Sequence, residues 1–476
     1  MRLTRISIFA FAFIISGCST LNRQDTFSDI KSLTGETIDA KLIWNEDENA
    51  AKAINVAIDE LLQRKLSISD AVQIALLNSQ SVQAVYEEVG VAQADLLQAG
   101  LLQNLTFSIE RRFPGKSLEL DIAQNFIDLF FIPLRTKIAT NALEAAKLKV
   151  ASAVIEHAAK TKKAFFELQT SLQTIEMRRS VSKAMDASAL AAHKIFKAGN
   201  IIELEMQNEQ RSANEARIKL AMAENEVIEK RERLNVLMGF WNRNINWEIE
   251  GRLPDAPKDD PNGEGLERLA ITERLDLQSE KRELDALGDN INLSGYGAIF
   301  SEAVLGIHSE REPEGSRSIG PSLEIPIPIF DRGDASKAKA YSLFRQSAAH
   351  FMQHAIEIRS EVRMAFTKMR TARKKAEYYQ REVLPLQARM LEQTQLQYNG
   401  MFKSVFELLQ AKEKQIIAAE EFIEALKEYW LARTELELAV GGKIKDVPVT
   451  ERPVLQSAIQ VNPAKESSMH HHNQGR

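Results

Sequence analysis

The amino-acid sequence predicts a mainly α-helical protein with a small β part, arranged as two tandem repeats of a helix, a β-hairpin and a long helical hairpin. Two amphipathic helix starts align at a shift of 195 residues, with Ala75 matched to Ala270. Each start is followed by two stretches typical of strands and then by a helical pattern too long for a compact domain. An internal repeat of this kind means that one structural unit occurs twice in the chain.

The N-terminus has the pattern of an export signal. Two basic residues precede an apolar run at 6–15, which ends in small residues before Cys18, the single cysteine of the chain. We expect 1–17 to be a lipoprotein signal peptide, Cys18 to carry lipid such as palmitate, and 18–64 to be a lipid-anchored arm. The pattern resembles the bacterial lipobox, and by that resemblance Ser19 favours sorting to the outer membrane. The alternative is plain export with an incidental cysteine.

The composition argues against several classes of protein. The net charge is −5 and 27% of the residues are charged, so nothing indicates nucleic acid as a partner. No phosphate-binding loop, nucleophile elbow or second cysteine suggests an enzyme, and no cofactor is expected. After the signal, no apolar run is long enough for a membrane-spanning helix, so any crossing of a membrane would depend on β-structure.

The first repeat is expected at 65–243. Strands are predicted at 106–112 and 118–129, within a hairpin at about 104–134, because apolar and polar residues alternate there around a turn that contains proline and glycine. A long helix is then predicted at 135–197. It ends at a glycine, beyond which the chain turns and runs back as a second helix.

The second repeat follows a linker rich in proline and acidic residues. Its hairpin is expected at about 291–330, with strands at 291–307 and 320–329. The remaining predicted boundaries are 244–265 for the linker, 266–442 for the second repeat and 443–476 for a disordered polar tail that holds a run of histidines.

The second long helix carries the most regular pattern of the sequence. From 341 onward, apolar residues recur at alternating spacings of three and four, which is typical of a coiled coil. At ~1.5 Å per residue this run is roughly 75 Å long. The positions of this stripe are Tyr341, Phe344, Ala348, Phe351, Ala355, Ile358, Val362, Ala365, Met369, Ala372, Ala376, Tyr379, Val383, Leu386 and Met390.

The number of strands has a consequence for assembly. Four strands in one chain cannot close a barrel in lipid, where each unpaired backbone group costs several kcal/mol. Three identical chains would supply twelve strands, which lies within the range of outer membrane barrels. The alternation of side chains along the predicted strands is too weak to show which face would meet lipid.

The order and spacing of these elements resemble the TolC-like outer membrane efflux family, in its lipid-anchored branch. The resemblance covers 66–442 and rests on the duplicated helix starts, on the segment SLEIPIPIFDRG at 322–333 and on the two turns between long helices. It implies a homotrimer whose twelve-strand transmembrane β-barrel continues as a long periplasmic α-barrel. It also implies a periplasmic adaptor protein and an inner membrane pump as partners, in the outer membrane of a Gram-negative bacterium.

The same resemblance assigns roles to residues near the two turns. It implies a periplasmic gate that includes Tyr398, Lys403, Glu407 and Glu205, although Gln410 stands where the family has a second acid. A ring of carboxylates in a narrow neck would attract cations. The alternative is that Glu407 and Glu205 are ordinary solvated helix charges. The turn residues expected to contact the adaptor are Gly199, Asn200, Gly400 and Met401.

Histidine residues offer only weak candidates for a metal site. His350 and His354 would share a helix face, but no carboxylate-rich motif accompanies them, so a surface pair is favoured. The tail residues His470, His471 and His472 suit copper or zinc, and the alternative is a disordered tail with chance histidines or a remnant of expression.

The sequence therefore favours one function over two alternatives. The leading hypothesis is the outer membrane channel of a tripartite efflux system, a passive conduit for small molecules or metal ions. The first alternative is a channel for type I protein secretion, which would have the same architecture. The second is a coiled-coil structural lipoprotein that conducts nothing.

Overall fold

A computed structural model describes most of the chain between the arm and the end of the second repeat. Cys18, the predicted signal peptide and the histidines of the tail lie outside the described residues. The described residues are 23–35, 37–38, 40–113, 117–241, 246–257, 261–300, 303–311, 315–327, 329–442 and 444.

The arm and the first repeat form helices on either side of one hairpin, and the prediction of a mainly helical chain with a small sheet is confirmed. The strand predicted at 106–112 is found there, whereas the second strand is shorter than predicted and ends at Asn125. The Asn125 side chain accepts a hydrogen bond of 3.1 Å from the backbone N–H of Asp128, which starts the long helix early. The elements are α1 (Arg23–Gly35), α2 (Glu48–Leu61), α3 (Ile68–Asn78), α4 (Gln80–Gly100), β1 (Thr106–Arg112), β2 (Ser117–Asn125), α5 (Asp128–Lys197) and α6 (Glu203–Leu237).

The second repeat has the same order of elements. Both predicted strands have wrong bounds, since the first strand continues to Arg311 and the second spans Arg317–Glu324 instead of 320–329. At 291–300 there is helix rather than strand. This segment continues a helix that packs against α5 and against the long helix of its own repeat, and that packing overrides the local strand pattern. The elements are α7 (Leu266–Glu273), α8 (Leu275–Phe300), β3 (Val304–Arg311), β4 (Arg317–Glu324), α9 (Asp334–Tyr378), a π-helical turn (Tyr379–Val383), α10 (Leu384–Asn399) and α11 (Val405–Ala439).

Each repeat has a kink between its short helix and its first long helix. Ser79 separates α3 from α4, Arg274 separates α7 from α8, and both have extended backbone conformations. The two kinks stand 195 residues apart, which is the shift at which the helix starts align. The return helices α6 and α11 are also equivalent, because each contains 35 residues.

A glycine joins the end of each return helix to the kink of the same repeat. Gly239 follows α6 with a φ of 73°, and a Cβ atom there would lie 2.5 Å from the carbonyl oxygen of Asn78. Gly441 follows α11 with a φ of 90°, and its Cβ would lie 3.0 Å from the carbonyl carbon of Glu273. Only glycine combines the left-handed conformation with this close approach.

The predicted apolar stripe is buried only in its middle, because its first residue, Tyr341, is 52% exposed and burial ends at the π-helical turn. Ala372 and Ala376 are buried as expected, but Leu386 and Met390 are 49% and 48% exposed, so their predicted place in the stripe is wrong. A π-helical turn adds one residue to a helical turn and rotates the following helix by about 100°. The inward positions move one residue along, and Gln387 and Leu391 are the half-buried ones.

The described part of the arm is packed against the body of the protein. The ring of Phe27 meets Tyr86 edge to face at 5.1 Å, and Trp44 lies against both. The indole N–H of Trp44 donates a 3.0 Å hydrogen bond to Glu87. Burial in this cluster raises the pKa of the Tyr86 hydroxyl well above its usual range. The arm therefore fixes the N-terminal end of the described chain to α4.

The linker lies between the two halves and bonds to both. The Gln169 side chain donates a 2.7 Å hydrogen bond to the carbonyl of Glu250, and Trp430 donates one of 2.8 Å to the carbonyl of Pro254. Trp430 also stacks on Phe166 at 5.3 Å. Among the described residues, no helix has the length and apolarity needed to cross a membrane.

The joint at Gly239 can be tested by substitution. We expect Gly239→Ala to destabilise the protein by roughly 3 kcal/mol, since the new methyl group adds overlap with Asn78 to the cost of a left-handed alanine. Gly199→Ala is the matched control: its φ is 76°, but a Cβ there would meet no described atom within 4 Å, so we expect a loss of only ~1 kcal/mol. The measurement is the midpoint of thermal unfolding in detergent, and equal falls for the two variants would contradict this account.

Candidate functional site

The four strands form one antiparallel sheet in the order β1-β2-β3-β4. The two hairpins meet through β2 and β3, where Asp121 stands opposite His308. Within the described chain, β1 and β4 are the edges, and each has one neighbour. The register fixes which side chains share a face, because neighbours across the strands point to the same side.

One face of the sheet is apolar over most of its length. It carries the alternate residues that begin with Phe107 on β1 and Leu305 on β3. A row of arginines, Arg111, Arg311 and Arg317, closes this face at the hairpin turns. Its other described members are Ile109, Leu118, Leu120, Ile122, Gln124, Ile307, Ser309, Ile319, Pro321 and Leu323.

The other face is polar and acidic. Glu110, Glu119 and Glu310 stand side by side on three neighbouring strands. In the next row, an Asp121 carboxylate oxygen lies 2.5 Å from Nδ1 of His308, and the hydroxyl of Ser108 donates a 3.2 Å hydrogen bond to the other Asp121 oxygen. These pairs hold part of the acidic charge in place across the strands.

Burial on the two faces is the reverse of that in a water-soluble sheet. Phe107 and Ile307 on the apolar face are 60% and 59% exposed, and Ile319 is 64% exposed. On the polar face, Ser117 and Glu119 are buried. A sheet in water places its apolar side chains inside, so this inverted arrangement suits a polar interior and apolar surroundings.

Exposed apolar side chains continue at the end of the sheet nearest the helices. Leu129 and Phe130 begin α5 with 56% and 73% exposure, and Phe330 precedes α9 fully exposed. Ile325 and Ile327 extend the apolar face of β4 toward Phe330. Aromatic and aliphatic side chains in such a position are typical of the border between lipid and water.

The second helical turn places Lys403 and Glu407 together. Ser404 and Glu407 form a capping box at the start of α11, and a carboxylate oxygen of Glu407 lies 2.9 Å from the ammonium nitrogen of Lys403. The hydrogen bond from Lys403, followed by that from the backbone N–H of Ser404, lowers the pKa of the exposed Glu407 carboxyl. Glu407 therefore has a structural role at its own helix end, whatever its role in an assembly.

The remaining residues of this turn are exposed. Tyr398 is 38% exposed, and Gly400 ends α10. Met401 has a φ of 62°, the left-handed conformation that glycine usually occupies. Met401 and Phe402 are 93% and 86% exposed. Sequence reasoning missed Phe402, whose signal was an aromatic residue two positions after the glycine that ends α10.

The first helical turn has the same backbone hydrogen bonds with different side chains. Gly199 has a φ of 76°, and Gly199 and Asn200 donate to Phe196 and Ile195 in the pattern that Met401 and Phe402 repeat. Ile202 stands where Ser404 stands in the second turn, so α6 has no side-chain hydrogen bond at its N-cap. Glu205 is the third residue of α6 and is exposed. Ile202 and Leu204, which the sequence analysis did not single out, are 62% and 61% exposed.

An ion pair that the sequence did not reveal connects the two helical hairpins. Arg178 on α5 lies 2.6 Å from a carboxylate oxygen of Glu420 on α11. Burial raises the pKa of the Glu420 carboxyl, and the positive charge of Arg178 opposes that rise. Tyr379, in the π-helical turn, donates a 2.9 Å hydrogen bond to Glu421. These contacts link α11 to both long helices.

The histidines at 350 and 354 have different environments. Nδ1 of His354 lies 2.7 Å from Glu280, and Nε2 lies 3.6 Å from Asp276, whereas His350 is exposed. Among the described residues, no group of histidine, cysteine and acidic side chains has an arrangement that fits a metal ion. His354 thus connects α9 to α8.

Comparisons with known proteins identify the fold. Residues 117–240 match the sequence model of the outer membrane efflux protein family. The structure is similar to the CmeC outer membrane channel of Campylobacter jejuni, with 14% identity, a TM-score of 0.65 and coverage of 85% of this chain and 88% of that one. It is also similar to the MtrE outer membrane channel of Neisseria gonorrhoeae in its open state, with 15% identity, a TM-score of 0.63 and coverage of 80% and 91%.

A third similar structure is the outer membrane protein VceC of Vibrio cholerae, with 13% identity, a TM-score of 0.61 and coverage of 83% of this chain and 97% of that one. No curated protein sequence matches the chain. At these identities the solved structures establish the fold, and the match at 117–240 adds a family signature that spans β2, α5 and α6. Residues 117–240 thus match the outer membrane efflux protein family, and the chain has the fold of the outer membrane channels named above.

Proposed function

We propose that this protein is the outer membrane channel of a tripartite efflux system and a passive conduit for small molecules or metal ions. The observation that carries the proposal is the inverted sheet. Its apolar side chains face outward and exposed, while its carboxylates lie on the more buried face. A face of this kind is stable in lipid, and the acidic face beside it suits an aqueous channel.

The edges of the sheet support a trimer. Strands β1 and β4 end the sheet within one chain, and unpaired backbone groups are not tolerated in lipid. If β4 of one chain pairs with β1 of the next, three chains close a barrel of twelve strands. The helical hairpins attached to each sheet would then form a tunnel that continues the barrel into the periplasm.

Exposed apolar side chains on the helices support the same assembly. Met352 and Ile356 lie four residues apart on α9, and Leu386 and Met390 do so on α10. Residues four apart share a helix face, so each pair presents an apolar surface that a neighbouring chain would cover. The π-helical turn directs the second pair outward and thereby suits it to this contact.

The two turns are the proposed contacts with a periplasmic adaptor protein, which would connect the channel to an inner membrane pump. The four predicted turn residues, Gly199, Asn200, Gly400 and Met401, lie beside the exposed side chains of Leu204 and Phe402. Large exposed apolar residues at the end of a long helical body are typical of a binding surface. Cys18 would anchor each chain to the outer membrane by its lipid.

The proposed gate lies at the same end of the molecule. Glu407, held by Lys403 and Ser404, would contribute one carboxylate per chain to a ring of three. Tyr398 and Glu205 would complete the constriction from α10 and α6. A ring of fixed carboxylates favours cations over anions in a narrow passage.

Conduction by the trimer is the first test. We expect the purified protein to migrate with the mass of three chains and to give discrete conductance steps in planar lipid bilayers. A double variant, Ile109→Cys and Ile319→Cys, should also yield oxidised bands of two and three chains. Within one chain these residues stand three strands apart, roughly 14 Å, which is too far for a disulfide.

Each single-cysteine variant is the control. It has a cysteine on only one edge strand, so it cannot form disulfides between β1 of one chain and β4 of the next. Should the register between chains separate these two positions, neighbouring positions on the same strands extend the test. A monomer that gives no conductance would contradict the proposed function and favour a non-conducting structural lipoprotein.

Charge selectivity tests the gate. We expect Glu407→Gln to reduce the preference for K⁺ over Cl⁻, because glutamine retains the capping box but removes the carboxylate. In the unsubstituted channel, the hydrogen bonds from Lys403 and Ser404 lower the pKa of the Glu407 carboxyl, so this carboxylate stays charged to a lower pH than an ordinary glutamate. The preference should therefore persist at pH 5 and be lost only in stronger acid. The measurement is the reversal potential in a salt gradient at several pH values.

Two further variants distinguish the effect of the carboxylate charge on selectivity from the effect of the helix cap. Ser404→Ala removes the capping hydrogen bond and keeps the charge, so it should leave selectivity intact. Glu205→Gln tests the equivalent residue of the first turn. Unchanged selectivity in both glutamine variants would remove these residues from the gate and leave the channel itself unaffected.

A further inference from the structure

The arginine row at the end of the apolar face is the feature that the proposed function does not explain. Arg111 pairs across the strands with Leu118, Leu118 pairs with Arg311, and Arg311 pairs with Arg317. The three arginines therefore stand at one level on β1, β3 and β4. With strands about 4.8 Å apart, they span roughly 14 Å across the sheet.

The surroundings of the row favour an anion. All acidic residues of the four strands, Glu110, Glu119, Asp121, Glu310 and Glu324, occupy the opposite face in the observed register. The guanidinium group of Arg111 lies 5.0 Å from the centre of the Phe113 ring, and Nε of Arg317 donates a 3.3 Å hydrogen bond to the Ser309 hydroxyl. These contacts hold two of the arginines along the outer surface, where all three are exposed.

The position of the row relative to the apolar side chains indicates its depth. Ile109 and Ile319 occupy the next level on the same face, and exposed apolar residues continue from there toward the helices. The row lies beside the hairpin turns, at the end of the sheet farthest from the helical body. If the apolar face meets hydrocarbon, the arginines reach the headgroup layer of the distal leaflet.

We propose that Arg111, Arg311 and Arg317 form a binding surface for the headgroup of lipid A in the outer leaflet, a glucosamine disaccharide that carries two phosphates. This inference rests on the proposed membrane location of the sheet. Guanidinium groups bind phosphate through paired N–H donors, and cations on several strands match a headgroup that carries more than one phosphate. A lipid with a single phosphodiester would engage fewer of them.

Lipid binding to the purified trimer tests the proposal. The titrated probes are lipid A, phosphatidylglycerol, phosphatidylcholine and inorganic phosphate, each added to protein in neutral detergent. We expect lipid A to bind more tightly than the other three. We expect the triple variant Arg111→Gln, Arg311→Gln and Arg317→Gln to bind lipid A roughly a hundredfold more weakly, because each arginine near an anionic surface contributes about a fivefold effect.

The matched control is the triple variant Arg332→Gln, Arg345→Gln and Arg389→Gln. It removes the same charge from exposed positions outside the strands and should bind lipid A as the unsubstituted protein does. Replacement of the three row arginines by lysine keeps the charge but not the paired donors, and we expect an intermediate affinity. Conductance of each variant in planar bilayers verifies that the trimer has formed.

The outcomes separate this inference from the proposed function. Equal loss of lipid A binding in the two glutamine triples would mean that overall charge is responsible and would overturn the inference. Equal affinity for lipid A and phosphatidylglycerol would also overturn the inference. If either result occurs in channels that conduct, the proposed function stands without the lipid site. If the protein does not conduct but still needs the three arginines to bind lipid A, the proposed function is contradicted and the lipid site is not.

Discussion

Backbone groups that enter lipid must be hydrogen-bonded, and the two edges of the small sheet, β1 and β4, are where one chain does not meet that requirement. On the proposed account, sister chains supply the missing partners. The assignment of faces follows from the register, because Asp121 opposite His308 places the carboxylates together and leaves Ile122 and Ile307 on the outside. Closure of the sheet would then enclose the acidic face and expose the apolar one.

The helical body extends from this sheet without a membrane-spanning helix among the described residues. Its length comes from long helices that pack on one another, and each return helix ends at a glycine joint. Gly239 and Gly441 bring each return helix against the kink of its own repeat, so both repeats end in the same way. Toward the turns, the π-helical turn rotates Leu386 outward and gives α10 an exposed apolar side.

The sequence predicted the helical class, the first strand at 106–112 and the two turns, because each has a strong local signal in alternation or in glycine. It did not predict that α8 continues to Phe300, since that depends on packing against α5 and α9. The exposure of Leu386 was also not predicted. The apolar pattern continues unbroken through the π-helical turn, so the sequence does not show the extra residue. For the candidate site, the faces of the sheet became apparent only with the cross-strand register. Glu407 was recognised as a candidate through the family resemblance, but its capping bond with Ser404 was not.

The most direct test of this account is the environment of two adjacent residues on β2. Ile122→Cys and Ala123→Cys, labelled with a polarity-sensitive fluorophore in lipid vesicles, should differ sharply, with the unsubstituted protein as background. The account predicts that a quencher dissolved in the bilayer affects the label at Ile122, and that an aqueous quencher affects the label at Ala123. Equal access of the aqueous quencher to both labels would contradict the claim that this sheet has a lipid face and a channel face.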